Sequence, residues 1–301
     1  MTVNVAVQQF ERERPRLFGL AYRMLGSVGD AEDMVQDAFL RWQGAAVDQV
    51  TVPRAFLTTT LTRLCIDRLR KLQVERAHYS GPWLPEPLLG EAVSDSPEHA
   101  AERDETLSLA MLRMLERLAP HERAVFVLRE ALDLEYAEIA AAVDAPVATC
   151  RQWYRRARTH LAGERRFDLV PQAQMEFLGK LQAALQAGDI RALVALLDPD
   201  IQMRGDGGGK ATALINVVTG VERVATVILH LWQRNPLQQV LVPLNGGIGL
   251  ALYQDNGKLD SLAALEVADG RLIYFDAVRN PEKLVRAKAQ LHASIAPEPN
   301  G

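Results

Sequence analysis

The sequence has little cysteine, few aromatic residues and no long apolar run. Its 301 residues include 2 cysteines, and aromatic residues make up 6% of the chain. Two thiols, Cys65 and Cys150, are too few for a disulfide framework or a zinc site, and we interpret both as buried free thiols. The longest apolar run, residues 224–232, is interrupted by His230 and is far shorter than the roughly 20 residues that cross a bilayer. These absences exclude a disulfide-rich secreted scaffold and predict that no segment enters a membrane.

Neither sign of charge dominates the chain. The formal net charge is −4, with 24% charged and 48% hydrophobic residues. These averages are typical of globular proteins and exclude collagen-like, mucin-like and wholly disordered classes. The first 15 residues lack the apolar core of a secretory signal, so we expect a cytoplasmic protein. A net charge conceals local charge, and residues 63–76 and 147–163 form two basic segments.

The distribution of proline and glycine predicts several domains. Apolar spacing indicates helices between residues 5 and 78, including one capped by Asp30 and one from Arg54 to about Arg76. Four prolines then favour an extended linker, after which helical patterns resume. The last part has two helices, a glycine-rich loop at 204–210, another helix and four strand-like runs, which predict an α+β domain with an antiparallel sheet. The predicted divisions are 1–79, 80–99 (the linker), 100–165, 170–290 and a tail at 291–301.

Residues 135–162 have the dimensions of a helix-turn-helix. The turn falls at residues 143–146, and Pro146 suits the first position of the second helix. On that helix, one apolar face consists of Val147, Cys150, Tyr154, Ala157 and Leu161. Arginine and glutamine lie outside this face, and their donors suit base edges and phosphates in a major groove. The candidate DNA-binding residues here are Arg151, Gln152, Arg155, Arg156 and Arg158.

The helix predicted over residues 54–76 carries the other basic surface. Its cations are Arg63, Arg68, Arg70, Lys71 and Arg76. With Phe56 nearby, they resemble a surface that binds unstacked single strands by charge and stacking. Two such surfaces predict bipartite nucleic-acid recognition, and a linker of about nineteen residues would span about 60 Å if extended.

Several motifs, in this order along the chain, resemble bacterial extracytoplasmic-function (ECF) RNA polymerase sigma factors. Regions 2 and 4 of that family are similar to RLFGLAYRMLG at 16–26, DAEDMVQD at 30–37, FLTTTLTRL at 56–64 and the helix-turn-helix. The ECF group with a SnoaL-like (NTF2-like) extension is similar in WLPEP at 83–87, DGGGK at 206–210 and NPEKL at 280–284. The resemblance implies a multidomain fold, with all-α region 2 and region 4 modules followed by a cone-shaped α+β SnoaL-like domain.

The resemblance also implies a function. The chain would direct core RNA polymerase to promoter DNA, with no catalysis, cofactor or metal of its own. Region 4 would read the minus-thirty-five element through the helix-turn-helix candidates and contact the β flap. Region 2 would melt and hold the minus-ten element through Arg63, Asp67, Arg68, Arg70 and Lys71. The implied contacts with the β′ clamp helices are Asp30, Glu32, Asp33, Gln36, Asp37 and Trp42.

We expect the SnoaL-like domain to regulate these modules in cis, in place of a separate anti-sigma factor. An apolar Trp-Leu-Pro segment within a linker seldom faces only water, so it should dock on this domain near the glycine loop. The predicted contact residues are Trp83, Leu84, Pro85, Glu86, Pro87, Asp206, Gly207, Gly208, Gly209, Lys210, Asn280, Pro281 and Lys283. The free chain is expected to be a monomer.

Two other functions stay open as alternatives: a helix-turn-helix regulator with a ligand-sensing tail, and a SnoaL-type cyclase or isomerase with a targeting domain. The loop at 205–210 resembles a phosphate-binding loop, but it is one residue short and Ala211 occupies the Ser/Thr position. Asp206, His230 and Asp276 are candidate acid–base residues. No paired carboxylate or Ser-His-Asp spacing accompanies them, which favours structural roles.

Overall fold

The computed structural model of the chain describes residues 2–45, 50–90, 108–162, 171–234 and 237–295. These residues divide into two compact units. The first lies within residues 1–78 and 111–164, and the second within 79–92, 108–110 and 165–301. Across the described ranges, no helix combines the length and apolar character needed to cross a membrane. The predicted linker residues 91–99 and the predicted helical residues 100–107 lie outside the described residues.

Helices form the first unit. They are α1 (Thr2–Leu25), α2 (Val28–Gly44), α3 (Pro53–Arg76), α4 (Leu109–Leu115), α5 (Pro120–Glu130), α6 (Tyr136–Val143) and α7 (Val147–His160), of which the first two residues of α4 belong to the second unit. Apolar residues at helical spacing, among them Leu20, Leu57 and Leu61, are fully buried between α1, α2 and α3. The predicted cap at Asp30 is wrong, because Ser27 is the N-cap of α2 and its side chain accepts from the Asp30 amide.

The helix-turn-helix prediction is confirmed by α6 and α7. Asp144 ends α6 in the left-handed conformation with φ 55°, which directs the chain into the turn. Pro146 is the N-cap of α7 and not its first helical residue, so the predicted position is wrong by one residue. Cys150 and Ala157 are buried in the predicted apolar face of α7.

A six-stranded sheet forms the centre of the second unit. Its elements are α8 (Pro171–Ala187), α9 (Ile190–Leu196), β1 (Leu197–Asp206), β2 (Val218–Thr219), α10 (Val221–Arg234), β3 (Gln238–Leu244), β4 (Gly247–Tyr253), β5 (Leu259–Ala268), β6 (Arg271–Val278) and α11 (Val285–Ile295). The strand order is β2-β1-β6-β5-β4-β3. The four predicted strands form the antiparallel meander β3 to β6, which confirms that part of the prediction.

Strand β1 departs from the prediction. It pairs in parallel with β6, whereas the sequence predicted a purely antiparallel sheet. It also includes Arg204 and Asp206, so the glycine-rich loop begins only at Gly207. The short α9 leads directly into β1, and the turn-favouring sequence Asp198-Pro199-Asp200 lies within the first residues of the strand.

Apolar side chains cover both faces of the sheet. Residues of α8, α9 and α10 pack on one face, with Leu193, Val224 and Leu265 in the cluster. The other face packs against Leu84 of the predicted linker and residues of the C-terminal segment. Leu89 even forms a β-bridge with Leu244. Residues 80–90 are therefore part of the α+β domain and not a free tether, and α11 continues across the predicted start of the tail at residue 291. The predicted class, all-α modules followed by an α+β domain, is confirmed.

Candidate nucleic-acid interface and regulatory site

The outer face of α7 presents donors to solvent. Its five predicted DNA-binding residues, Arg151, Gln152, Arg155, Arg156 and Arg158, are all exposed. The guanidinium of Arg151 lies 5.4 Å from the ring centroid of Tyr136 on α6, a cation–π contact that orients this arginine. Within the described residues, no acidic side chain pairs with Arg155, Arg156 or Arg158. This face is therefore strongly positive and accessible.

Tyr154 connects α7 to α5, the helix that precedes the helix-turn-helix. Its hydroxyl donates to the carboxylate of Glu130 at the end of α5. Burial raises the pKa of Tyr154 to about 12, and the hydrogen bond to Glu130 adds to this effect. The phenol stays protonated at neutral pH, so the bond that fixes the orientation of α7 persists.

The basic face of α3 is occupied by acceptors of the chain itself. Arg63 donates to the carbonyl oxygens of Ala141 at 3.0 Å and Ala142 at 3.3 Å, both in α6. Arg70 pairs with Asp67 at 2.8 Å. Lys71 is exposed on the same helix.

Arg68 holds two acidic residues at once. It lies 2.7 Å from Asp30 of α2 and 2.8 Å from Glu75 of α3. Burial opposes its charge, but the hydrogen bonds to Glu75 and Asp30 outweigh that effect and raise the pKa of Arg68. The pair with Asp30 therefore joins α2 to α3, and this arginine has a structural role in region 2.

Only some of the residues predicted on α2 to contact the polymerase are exposed to solvent. Glu32, Asp33, Gln36 and Asp37 are exposed, as a contact for a basic partner requires. Trp42 is not part of this surface. It is fully buried, and its indole nitrogen donates to the Ala6 carbonyl at 2.8 Å, because a buried indole N–H needs an acceptor. The prediction that Trp42 lies at a partner surface is corrected accordingly.

The side chain of Asp206, at the end of β1, gathers the predicted regulatory residues. This fully buried carboxylate accepts from the Tyr79 hydroxyl at 2.6 Å, the Leu84 amide at 2.9 Å and the Gly208 amide at 3.0 Å. The Lys283 ammonium lies 2.7 Å away and compensates the charge. A carboxylate buried with one cation and three further donors is well satisfied, and it fixes the linker segment to the sheet.

Lys283 and Asn280 complete this cluster. The Lys283 ammonium lies 4.1 Å from the centroid of the Trp83 ring and donates to the Leu84 carbonyl. Asn280 donates to the Tyr79 hydroxyl at 2.9 Å. Burial raises the pKa of Tyr79, as does its hydrogen bond to Asp206, so the phenol stays a donor to this carboxylate.

The glycines of the loop allow close approach. A Cβ at Gly208, which has φ 60°, would lie 2.3 Å from the Asn280 side-chain nitrogen, and one at Gly207 would lie 2.1 Å from the Ala211 carbonyl oxygen. Only glycine fits at both positions. Lys210 points elsewhere and pairs with Glu282 at the surface. The loop is thus built for packing, whereas a phosphate-binding loop would direct its lysine to the anion.

The other predicted regulatory residues of the linker segment are mostly buried. Leu84, Pro85, Glu86 and Pro87 are buried, and Trp83 and Pro281 are partly exposed. Sequence reasoning missed Tyr79 and Asn245, which accepts from the Leu88 amide at 3.0 Å. A tyrosine directly before the proline-rich segment was the available signal for Tyr79. Nothing in the sequence indicated Asn245.

Two of the three candidate acid–base residues have partners within the α+β domain. The Asp206 carboxylate is saturated by its donors, and Asp276 is buried 3.3 Å from Arg204. His230 is exposed on α10. Over the part of the chain that the structure describes, no group of three or more His, Cys, Asp or Glu residues could hold a metal ion.

Comparison with known proteins gives a consistent result. Residues 9–74 match the family model "Sigma-70 region 2", and residues 108–161 match "Sigma-70, region 4". The chain is 36% identical over 292 residues to the ECF RNA polymerase sigma factor SigJ of Mycobacterium tuberculosis, covering 92% of each protein. It is 32% identical over 157 residues to the ECF RNA polymerase sigma factor SigW of Bacillus subtilis, covering 49% of this chain and 82% of that protein.

A solved structure extends this similarity to three dimensions. The crystal structure of the SigJ extracytoplasmic function sigma factor from Mycobacterium tuberculosis matches with a TM-score of 0.74 and 34% identity, covering 92% of this chain and 98% of that chain. The match includes the helical modules and the α+β domain, as the sequence motifs implied. The chain therefore belongs to the ECF RNA polymerase sigma factors.

Proposed function

We propose that this sigma factor reads the minus-thirty-five element through α7 and melts and holds the minus-ten element through α3. The observation that carries the proposal is the exposed row of arginines on the second helix of a helix-turn-helix. Such a helix fits the major groove, where arginine donates to guanine and to phosphates. Opening a duplex costs energy, so the melting step needs polymerase together with the cations of α3.

Contact with core polymerase would begin at the acidic row of α2. Glu32, Asp33 and Asp37 suit the basic surface of the β′ clamp helices, and region 4 would contact the β flap. Electrostatic complementarity of this kind mainly sets the rate and specificity of association. The minus-ten residues proposed for α3 are Arg63, Asp67, Arg68, Arg70 and Lys71, although Arg68 also joins α2 to α3.

A randomised promoter library tests this proposal. Core polymerase with the full chain should transcribe a subset of the library, and permanganate should detect melted thymines at the minus-ten position of that subset. Charge reversal by Asp33→Lys with Asp37→Lys should abolish transcription, because α2 would repel the clamp helices. Glu222→Lys, an exposed acid on α10, is the matched control. Transcription by the α2 variant at the level of the control would contradict the proposed contact.

The α+β domain is proposed to regulate the sigma modules in cis, without a separate anti-sigma factor. The Asp206 cluster supports this role because it immobilises Tyr79 and Leu84, and Tyr79 follows the end of α3 by only three residues. Release of residues 79–90 would lengthen the tether between the two DNA-binding modules by about 40 Å. The state of this cluster therefore controls how far the modules can separate. The free chain would act as a monomer.

The proposed role of the α+β domain is conformational and not enzymatic. This proposal is supported by two observations. Asp206 accepts a hydrogen bond from the Leu84 amide of the linker segment, and Asp276 lies beside Arg204 in the sheet. Catalysis by a buried acid requires a substrate within hydrogen-bond distance of it.

Two variants of the Asp206 cluster test the regulatory role. Trp83→Ala and Lys283→Met should each change promoter output at least about threefold. Lys283→Met removes the cation that compensates buried Asp206, at a cost of about 3–5 kcal/mol of docking, and Trp83→Ala removes the ring against which this ammonium lies. Lys210→Met removes a neighbouring exposed cation and should leave output unchanged. Transcription from a fixed promoter at fixed polymerase concentration gives the readout. Unchanged output in both cluster variants would contradict regulation through this docking.

A further inference from the structure

Two turns of the sheet contain the dipeptide Asn-Gly. Asn245–Gly246 joins β3 to β4, and Asn256–Gly257 lies between β4 and β5. A third pair, Asn300–Gly301, lies outside the described residues. In such a pair the backbone nitrogen of the glycine can attack the side-chain carbonyl of the asparagine, because glycine has no side chain that obstructs the approach. The two turns place the same dipeptide in opposite surroundings.

The turn at Asn256 is open to solvent. Asn256, Gly257 and Lys258 are exposed, and a Cβ at Gly257 would meet no atom within 4 Å. The Lys258 amide donates to the Asn256 side-chain oxygen at 3.0 Å. A donor at this oxygen stabilises the negative charge that develops there when a nucleophile attacks the adjacent carbon. The Gly257 amide donates to the Gln254 carbonyl at 2.8 Å, and this bond of an exposed turn can open by local fluctuation.

The turn at Asn245 is held by the linker segment. The Asn245 side-chain oxygen accepts from the Leu88 amide at 3.0 Å, and the Asn245 amide donates to the Leu88 carbonyl at 2.9 Å. Asn245 is only 3% exposed, which limits access of the water and base that the reaction needs. Attack on its side-chain carbon would also require the side chain to leave Leu88, whose amide would then lack an acceptor.

We propose that Asn256–Gly257 is a site of spontaneous deamidation and that the linker segment protects Asn245–Gly246 from the same reaction. The Gly257 nitrogen loses its proton to solvent base and forms a bond to the Asn256 Cγ atom. The bond between Cγ and Nδ2 then breaks, and ammonia leaves with a proton from solvent. Water opens the resulting cyclic imide at either carbonyl, which gives aspartate or isoaspartate. The net change exchanges ammonia for water and needs no oxidant or reductant.

Incubation of the full chain in mildly alkaline buffer, with and without urea, tests the proposal. Chymotrypsin cleaves after Tyr253 and places the two turns on different peptides, whose deamidated fractions mass spectrometry measures. A protein isoaspartyl methyltransferase labels the isoaspartate product. In the folded chain Asn256 should react at least about tenfold faster than Asn245, because Asn245 reacts only after local opening. In urea the two rates should converge, since both residues precede glycine.

Asn216 is the matched control for exposure. It is exposed like Asn256, but it precedes Val217, whose branched side chain obstructs attack by the backbone nitrogen. Asn216 should therefore react more slowly than Asn256 in both the folded and the unfolded chain. Equal rates at Asn245 and Asn256 in the folded chain overturn the proposal. It is also overturned if Asn216 reacts as fast as Asn256, or if Asn256 reacts only in urea.

Leu88→Pro tests the protection by the linker segment. Proline lacks the amide hydrogen that Leu88 donates to Asn245. Asn245 should then react about fivefold faster, while Asn256 in the same molecule keeps the parental rate. Circular dichroism shows whether the variant is folded, and if it unfolds, the parent with and without urea decides the result. A parental rate at Asn245 in the folded variant overturns the protection by Leu88. None of these outcomes depends on promoter recognition, so the proposed function is tested separately.

Discussion

The two basic helices α3 and α7 carry similar cations but differ in what those cations bind. On α7 the row Arg155, Arg156 and Arg158 is exposed without acidic partners in the described residues. On α3 the cations Arg63 and Arg68 are held by acceptors from α6 and α2. A basic sequence pattern therefore predicts a nucleic-acid surface but does not reveal whether its cations are exposed or paired within the folded chain.

Packing explains this difference. Helix α3 lies among α1, α2, α5 and α6, so its polar residues meet helix ends and carboxylates. Helix α7 packs along its apolar seam against α5 and α6, and the residues outside that seam are mostly exposed. The helix that we propose to read the duplex is therefore exposed, whereas the helix that we propose to hold the single strand has much of its charge paired within the chain.

Replacement of Arg123 by methionine should produce the largest effect, because it removes the buried cation of α5 that pairs with Glu116 and binds the last turn of α1. Glu116 and the Arg23 carbonyl would lose a buried cation, at a cost of about 3–5 kcal/mol in the free energy of unfolding of the helical unit. Urea denaturation followed by circular dichroism measures this loss. Arg129→Met, on the same helix with surface partners, is the control. Equal losses in both variants would show that Arg123 does not carry the buried cluster.

Arg155→Ala tests the accessible state of α7. If Arg155 contacts a base edge, holoenzyme that contains the variant should bind promoter DNA more weakly by about 1–3 kcal/mol, or about 5- to 150-fold. A phosphate contact alone would lower affinity evenly across promoter sequences. Arg223→Ala, an exposed arginine of α10, should bind like the parent in the same mobility-shift titration. If the Arg155 variant binds with parental affinity, Arg155 does not contact the promoter.

Tyr136→Ala should have a smaller effect on the same surface. The ring of Tyr136 orients Arg151, and such contacts contribute about 0.5–1 kcal/mol at exposed sites, so affinity should fall about two- to fivefold. Tyr136→Phe keeps the ring and should bind nearly as the parent does. If the alanine and phenylalanine variants lose affinity equally, the hydroxyl and not the ring is the source of the effect.

Acidification should weaken the contact between α3 and α5 slightly. His121 of α5 lies 3.5 Å from Arg70, and its other neighbours are the Trp153 ring and the Asp67 carboxylate. Burial lowers the pKa of His121, Arg70 lowers it further, and Asp67 opposes them. The stability contributed by neutral His121 is therefore present above the unfolded value of about 6.5 and is lost as pH falls through the lower folded value.

The measurement compares the parent with His121→Asn. Urea midpoints at pH 7.5, 6.5 and 5.5 should fall more steeply for the parent, because only the parent must protonate an imidazole beside Arg70. Identical slopes in the two proteins would mean that His121 has no coupling to this contact.

Local patterns predicted most of the helical elements. The spacing of apolar residues located α3 within a residue, and the helix-turn-helix followed from periodicity and the break at residues 143–146. Cap positions were less certain from sequence, since Ser27 and Asp30 are both acceptable caps and only the backbone geometry selects Ser27. The parallel pairing of β1 with β6 joins residues about seventy positions apart and has no local signature.

The candidate sites also combine features that the sequence predicted with features that only the folded structure shows. The resemblance identified Asp206 and Lys283 as members of one regulatory region, and the structure gives the contacts that unite them. Trp42 had the appearance of a surface aromatic next to an acidic row, yet its amphipathic helix turns it into the core. The acceptors of Arg63 are main-chain carbonyls, and every residue type has one, so no sequence pattern could identify them.

The sequence by itself determined the helical modules, the strands of the meander and the positions of the two basic segments, because these depend on the spacing of neighbouring residues. Tertiary structure alone decided that α3 is occupied and α7 is presented, that Trp42 is buried and that Tyr79 binds Asp206. The last two outcomes depend on buried polar groups that find partners 36 and 127 positions away in the chain. The requirement to satisfy such groups is physical and general, but the partner that satisfies them is fixed only when the chain folds.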